Sequence, residues 1–74
     1  MHNEGTLKIG SCIIHYWVKH FDESSVYGID EGRISKLTLK QDGKFIANFD
    51  RGWDIVPETY EAKAALAILM KKYN

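Results

Sequence analysis

The sequence predicts a small α+β domain: a four-stranded antiparallel sheet, built as two hairpins, with one C-terminal helix packed across one face. Three observations carry this. The first third of the chain is rich in β-branched and aromatic residues and is interrupted by a Gly-Ser pair. A second alternating stretch turns at Gln41-Asp42-Gly43. The last segment, behind the single proline Pro57, places apolar residues at helical spacing. With 74 residues, the chain forms one domain, 1–74, with a thin core. A chain of this length hides only about 60% of its unfolded surface.

The stretch from Thr6 to Phe21 reads as strand on both sides of Gly10-Ser11. A two-residue turn with glycine first pairs Ile9 with Cys12, Leu7 with Ile14 and Gly5 with Tyr16. Leu7, Ile9, Cys12, Ile14, Tyr16 and Val18 then share one face, and such a match fixes register. One long strand with a bulge at Gly10 is the alternative. Asp22 to Gly32 is the longest loop. Arg33 to Lys40 and Lys44 to Asp50 form the second hairpin. A three-residue loop with Gly43 in the left-handed position gathers Leu37, Leu39, Phe45, Ala47 and Phe49 on one face, and is preferred to a two-residue Asp-Gly turn for that reason.

A helix is expected from Glu58 to Tyr73, with Thr59 as N-cap. Glu58 and Glu61 lie near its positive end, and Lys71 and Lys72 near its negative end. Ala62, Ala65, Leu66, Leu69 and Tyr73 form the stripe that covers the sheet.

Composition removes several functional classes. Ten basic and ten acidic residues cancel, so the chain lacks the strongly basic footprint of a dedicated nucleic-acid binder. One cysteine, Cys12, allows neither an internal disulfide nor a cysteine-rich zinc site. His15 and His20 have opposite parity and point to opposite faces, so no metal is expected, and no motif calls for a cofactor. The first residues do not read as a signal peptide. The longest apolar stretch, Ala64 to Met70, is far short of the roughly 20 residues that span a bilayer. The cytosol is the expected compartment, with no membrane association.

Two candidate surfaces remain. By parity, the outer sheet face carries Ile13, His15, Trp17, Phe21, Ile34 and Ile46 among several lysines, an apolar patch of the kind that makes interfaces. The second candidate is a charged cluster. Counting back from Gly43 sets Arg33 opposite Arg51, which brings Asp30, Asp50, Trp53 and Asp54 to the open end of the second hairpin. Arginines clamp phosphates and carboxylates, and paired acids do proton chemistry. The same residues also read as scaffolding, with the acids offsetting the arginines and Trp53 plugging the edge between sheet and helix.

Several blocks resemble small uncharacterised proteins of phages, prophages and mobile elements of Gram-positive bacteria. They are Tyr27-Gly28-Ile29, Gly32-Arg33-Ile34-Ser35-Lys36-Leu37, Asp50-Arg51-Gly52-Trp53-Asp54, and the ending Glu61-Ala62-Lys63-Ala64-Ala65-Leu66 through Lys71-Lys72-Tyr73-Asn74. The resemblance covers about two thirds of the chain and implies a phage or prophage setting, without a catalytic signature. The expected function is therefore a non-enzymatic interaction protein that binds a host or phage protein, as an inhibitor for example, or self-associates through the outer face. A nucleic-acid accessory role for the lysines and aromatics is the alternative. A small enzyme using the Asp/Arg/Trp cluster comes third.

Overall fold

Two glycine turns, one long loop and one very short return lay the strands down in chain order. The computed structural model describes residues 1–74. Its elements are β1 (His2–Ile9), β2 (Cys12–His20), β3 (Ile34–Gln41), β4 (Lys44–Asp50), β5 (Trp53–Ile55) and α1 (Tyr60–Tyr73). The strands form one open sheet in the order β1-β2-β3-β4-β5, antiparallel at every step. The sheet therefore has five strands, not the expected four. The extra strand, β5, is only three residues long and doubles back just after Arg51-Gly52, too short to show a period in sequence.

The first hairpin has the expected register: Ile9 faces Cys12, Leu7 faces Ile14 and Gly5 faces Tyr16. Gly10 takes φ 62°, the left-handed region that glycine enters without penalty. The second hairpin departs from expectation. Asp42 (φ 51°) and Gly43 (φ 76°) are both left-handed, and they form a two-residue turn with Gln41 opposite Lys44. Lys40 then faces Phe45 while Leu39 faces Ala47, so Ile46 is an extra residue in β4. This bulge reverses two assignments. Phe45 turns outward and is half-exposed, while Ile46 packs against the core. A second bulge lies between β2 and β3. Lys19 faces Lys36 but His20 faces Ile34, which leaves Ser35 extra. Ile34 thereby joins Leu37 and Leu39 as a fully buried residue. Neither Ile34 nor Ile46 belongs to the outer face where parity alone had placed it.

Helix α1 crosses β1, β2 and β3 on the inner side of the sheet. Its first turn is closed by Thr59, whose Oγ1 accepts from the Ala62 N–H at 3.1 Å. The helix starts at Tyr60, two residues later than expected. Ala62, Ala65, Leu69 and Tyr73 are buried, and Leu66 lies half-buried at the border. Ala65, Leu69 and Tyr73 join Ile14, Val18, Ile34, Leu37, Leu39 and Phe49 in one core cluster, with Leu66 packed against it.

The long loop is folded rather than loose. Ser25 N–H donates to the Gly32 carbonyl, Gly28 N–H to Ser25, and Glu31 N–H to Gly28, each at 3.0 Å. A 3-10 turn at Ile29–Glu31 drives Ile29 into the core. Asn74 ties this loop to β3. Its Oδ1 accepts from the Ile34 N–H at 2.9 Å, and its Nδ2 donates to the Ile29 carbonyl at 3.1 Å.

Tyr16 is buried under α1, close to Tyr73. Burial, and then the neighbouring Tyr73, push the Tyr16 hydroxyl above the usual tyrosine range, against a smaller opposing pull from Lys72. The folded state thus prefers the protonated phenol. Its contribution is complete below about pH 10, the unfolded value, and is lost as pH rises through the higher folded value. Thermal melts from about pH 8 to about pH 11 should show this alkaline loss, and Tyr16→Phe should make it shallower. An equal alkaline slope in both proteins would assign it to other groups.

Candidate functional site

The outer face is built on the polar positions of the alternating strands, with Trp17 at its middle. The sheet register sets Glu4, Trp17, Thr38 and Asn48 in one row across β1, β2, β3 and β4. His15 stacks on Trp17, with ring centroids 4.2 Å apart and planes 12° from parallel. The His15 Nε2–H donates to a Glu4 carboxylate oxygen at 2.8 Å, since a carboxylate at that distance accepts. The bond steadies the imidazole and, through it, the indole. Thr38 Oγ1 donates to Asn48 Oδ1 at 2.8 Å, and Asn48 Nδ2 reaches Asp54 at 3.3 Å.

A cleft of about 480 Å³ opens over this row, lined by His2, Glu4, Trp17, Lys19, Lys36 and Thr38 among others. A smaller hollow of about 290 Å³ lies on the other side of Thr38, bounded by Phe45, Asn48, Asp54 and Ile55. Both signs of charge border the face. Lys36 reaches Asp50 at 3.8 Å, and the Lys40 ammonium sits over the Phe45 ring, 5.1 Å from its centroid. Ile13 and Phe21 stay exposed, as expected of this face. His2, Glu4 and Phe45 were absent from the sequence-based set. The first-hairpin register already implied Glu4 beside Trp17, but only the β4 bulge reveals Phe45.

The charged cluster does not stay together. Asp50 and Asp54 join the outer face through Lys36 and Asn48. Trp53 packs edge-on against Phe49 at 5.1 Å, on the core side. Asp30 sits in the 3-10 turn at φ 50°. Arg33 and Arg51 are not a facing pair, because the Arg51 N–H bonds to the Ser35 carbonyl. Both do line a hollow of about 270 Å³ with Phe21, Tyr27 and Ser35. Neither arginine has a carboxylate partner within 4 Å, so the ion pairs expected of a charge scaffold are not formed.

His15 and His20 stay apart, as parity requires. His20 Nε2 bonds Asn3 Oδ1 at 3.0 Å, and its ring rests against Tyr73. No three His, Cys, Asp or Glu side chains converge as a metal group would require. Cys12 is half-buried beside the first turn. No helix is long and apolar enough to cross a membrane.

No curated protein and no solved structure matches the chain. A family model does, and it spans the architecture from the first strand through the Asn74 tether. By that match over residues 1–74, the chain belongs to the family described as a domain of unknown function, DUF7678.

Proposed function

We propose that this protein is a non-enzymatic interaction module of phage or prophage type, whose outer sheet face docks onto another protein. The observation that carries the reading is Trp17. It stands half-buried in a 480 Å³ cleft, is steadied by the His15 stack, and is ringed by both lysines and carboxylates. A central aromatic anchor inside a mixed polar rim is how protein interfaces are organised. The nucleic-acid reading draws on Lys19, Lys36 and Lys40. It is weakened by Glu4, Asp50 and Asp54 on the same face, one of which already holds Lys36. Phosphate backbones favour surfaces where cations are unopposed.

The test is Trp17→Ala, with Trp53→Phe as a folded control on the other tryptophan. Immobilised wild-type protein is expected to retain a protein from nuclease-treated bacterial lysate. The Trp17→Ala variant should weaken that retention by about thirtyfold in Kd, the effect of losing a roughly 2 kcal/mol anchor. Retention that survives Trp17→Ala in a folded protein would sink the reading. Retention that vanishes with nuclease, or falls steeply with salt, would replace it with the nucleic-acid one.

A further inference from the structure

Strand β1 forms one edge of the sheet. It runs eight residues with no proline and keeps unbroken register with β2. Natural edge strands are usually shortened, bulged or blocked, because an open edge is a template for another strand. The opposite edge follows that rule: β5 is three residues long and Pro57 lies just beyond it. Edge β1 does not.

Which of its groups are free follows from the turn. Ile9 and Cys12 flank the two-residue turn, so they exchange hydrogen bonds, and so do alternate pairs back along the hairpin. The odd-numbered residues of β1 therefore bond to β2. The even-numbered residues His2, Glu4, Thr6 and Lys8 turn their N–H and C=O groups to the open edge. Their side chains are exposed on the outer face.

We infer that two copies of the chain pair β1 against β1, antiparallel, about a two-fold axis at Thr6, making one continuous sheet. Directly opposed residues of an antiparallel pair point to the same face. Only registers that match even with even are therefore allowed when the two copies keep their helices on the same side. Centred on Thr6, the register sets Thr6 opposite Thr6 and Glu4 opposite Lys8 of the second copy, with the reciprocal Lys8–Glu4 pair completing the symmetry. All of these are edge-facing residues, so each pair exchanges both backbone hydrogen bonds. Opposite charges and threonine pairs are favourable cross-strand neighbours. The adjacent register, centred on Gly5, sets Glu4 opposite Thr6 and His2 opposite Lys8, and forfeits the carboxylate–ammonium pairs. On the helix side, the Thr6 register brings Leu7 of the second copy opposite Gly5. Tyr16 leans over Gly5 so closely that a methyl there would press on its hydroxyl. Leu7, only half-buried in one copy, gains an apolar neighbour in two.

This assembly uses the strand edge and does not depend on Trp17, so it stands or falls apart from the docking reading above. Sedimentation of the intact chain tests it. Wild-type protein should run at twice its 8.5 kDa mass. Lys8→Glu alone and Glu4→Lys alone each turn both symmetry-related pairs repulsive, and each should weaken the dimer by about tenfold or more. Mixing these two variants restores opposite charge at both pairs and should recover the dimer mass. Thr6→Pro removes the N–H on the axis while leaving the β1–β2 bonds intact, and should run as a monomer with unchanged circular dichroism. A wild-type monomer at millimolar concentration would overturn the inference. So would variants that dimerise as well as wild type, or a mixture no heavier than its components.

Discussion

Leu69→Ala is expected to destabilise the protein by about 2–5 kcal/mol, the range for emptying a leucine site in a packed core. Leu69 is fully buried where α1 meets the sheet. In a domain of this size each kcal/mol moves Tm by about 4–8 °C, so the melt should fall by at least about 8 °C. Leu66 lies on the same helical stripe but only half-buried, and Leu66→Ala should cost clearly less. The ordering of the two variants is the sharper measurement. Equal losses would mean that the helix is rotated about its axis relative to the geometry described above.

The second large effect is expected at Gly28. Its φ of −81° suits any residue, so backbone conformation is not the reason for glycine there. Space is the reason. A methyl at Gly28 would overlap the Gly32 carbonyl oxygen, which belongs to backbone and cannot swing aside. Gly28→Ala should therefore cost about 3 kcal/mol, the upper end of overpacking penalties, and should expose the 25–32 loop to proteolysis. Asn74→Ala attacks the same loop from the other side. It leaves the Ile34 N–H without a partner, at about 1–3 kcal/mol for a buried group left unpaired, while the Ile29 carbonyl keeps its bond from the Gly32 N–H. If Gly28→Ala melts and resists protease like wild type, the loop is not closed in the way these hydrogen bonds describe.

Those two sites differ in how far the sequence announces them. The helix stripe and its Thr59 cap are written in spacing and residue type, and the register of the first hairpin follows from Gly10-Ser11. The Asn74 tether is not visible in sequence, since it joins positions 40 and 45 residues apart through one amide. The bulges at Ser35 and Ile46 defeated parity counting in the same way twice. One extra residue flips every side chain beyond it, so Ile34, Phe45 and Ile46 were each assigned to the wrong face. The spacing of Ile34, Leu37 and Leu39 already carried the trace, because a strand of strict period two cannot place all three on one side. At the candidate site, Ile13, His15 and Trp17 come from the unbulged part of β2 and were legible, and Phe21, just past the end of β2, is exposed. Glu4 was legible only through pairing, and Phe45 was not legible at all. The charged cluster looked like a unit because its residues are close in sequence. The turn at Arg51-Gly52 sends neighbouring side chains to opposite faces, which closeness in sequence does not reveal.

The meander itself governs how the chain reaches this state. Every strand pairs with the one before it, and three of the four pairs close over two-residue turns at small entropic cost, the β2–β3 pair alone spanning the long loop. Local pairing of this kind favours fast folding. Only α1 must return over a long span, to strands laid down much earlier. Where docking of the helix follows the rate-limiting step, Leu69→Ala leaves the refolding limb of a chevron nearly unchanged and raises the unfolding limb. The lifetime of the folded molecule is then set by how long the helix stays seated, while the sheet beneath it sets how quickly the fold is found.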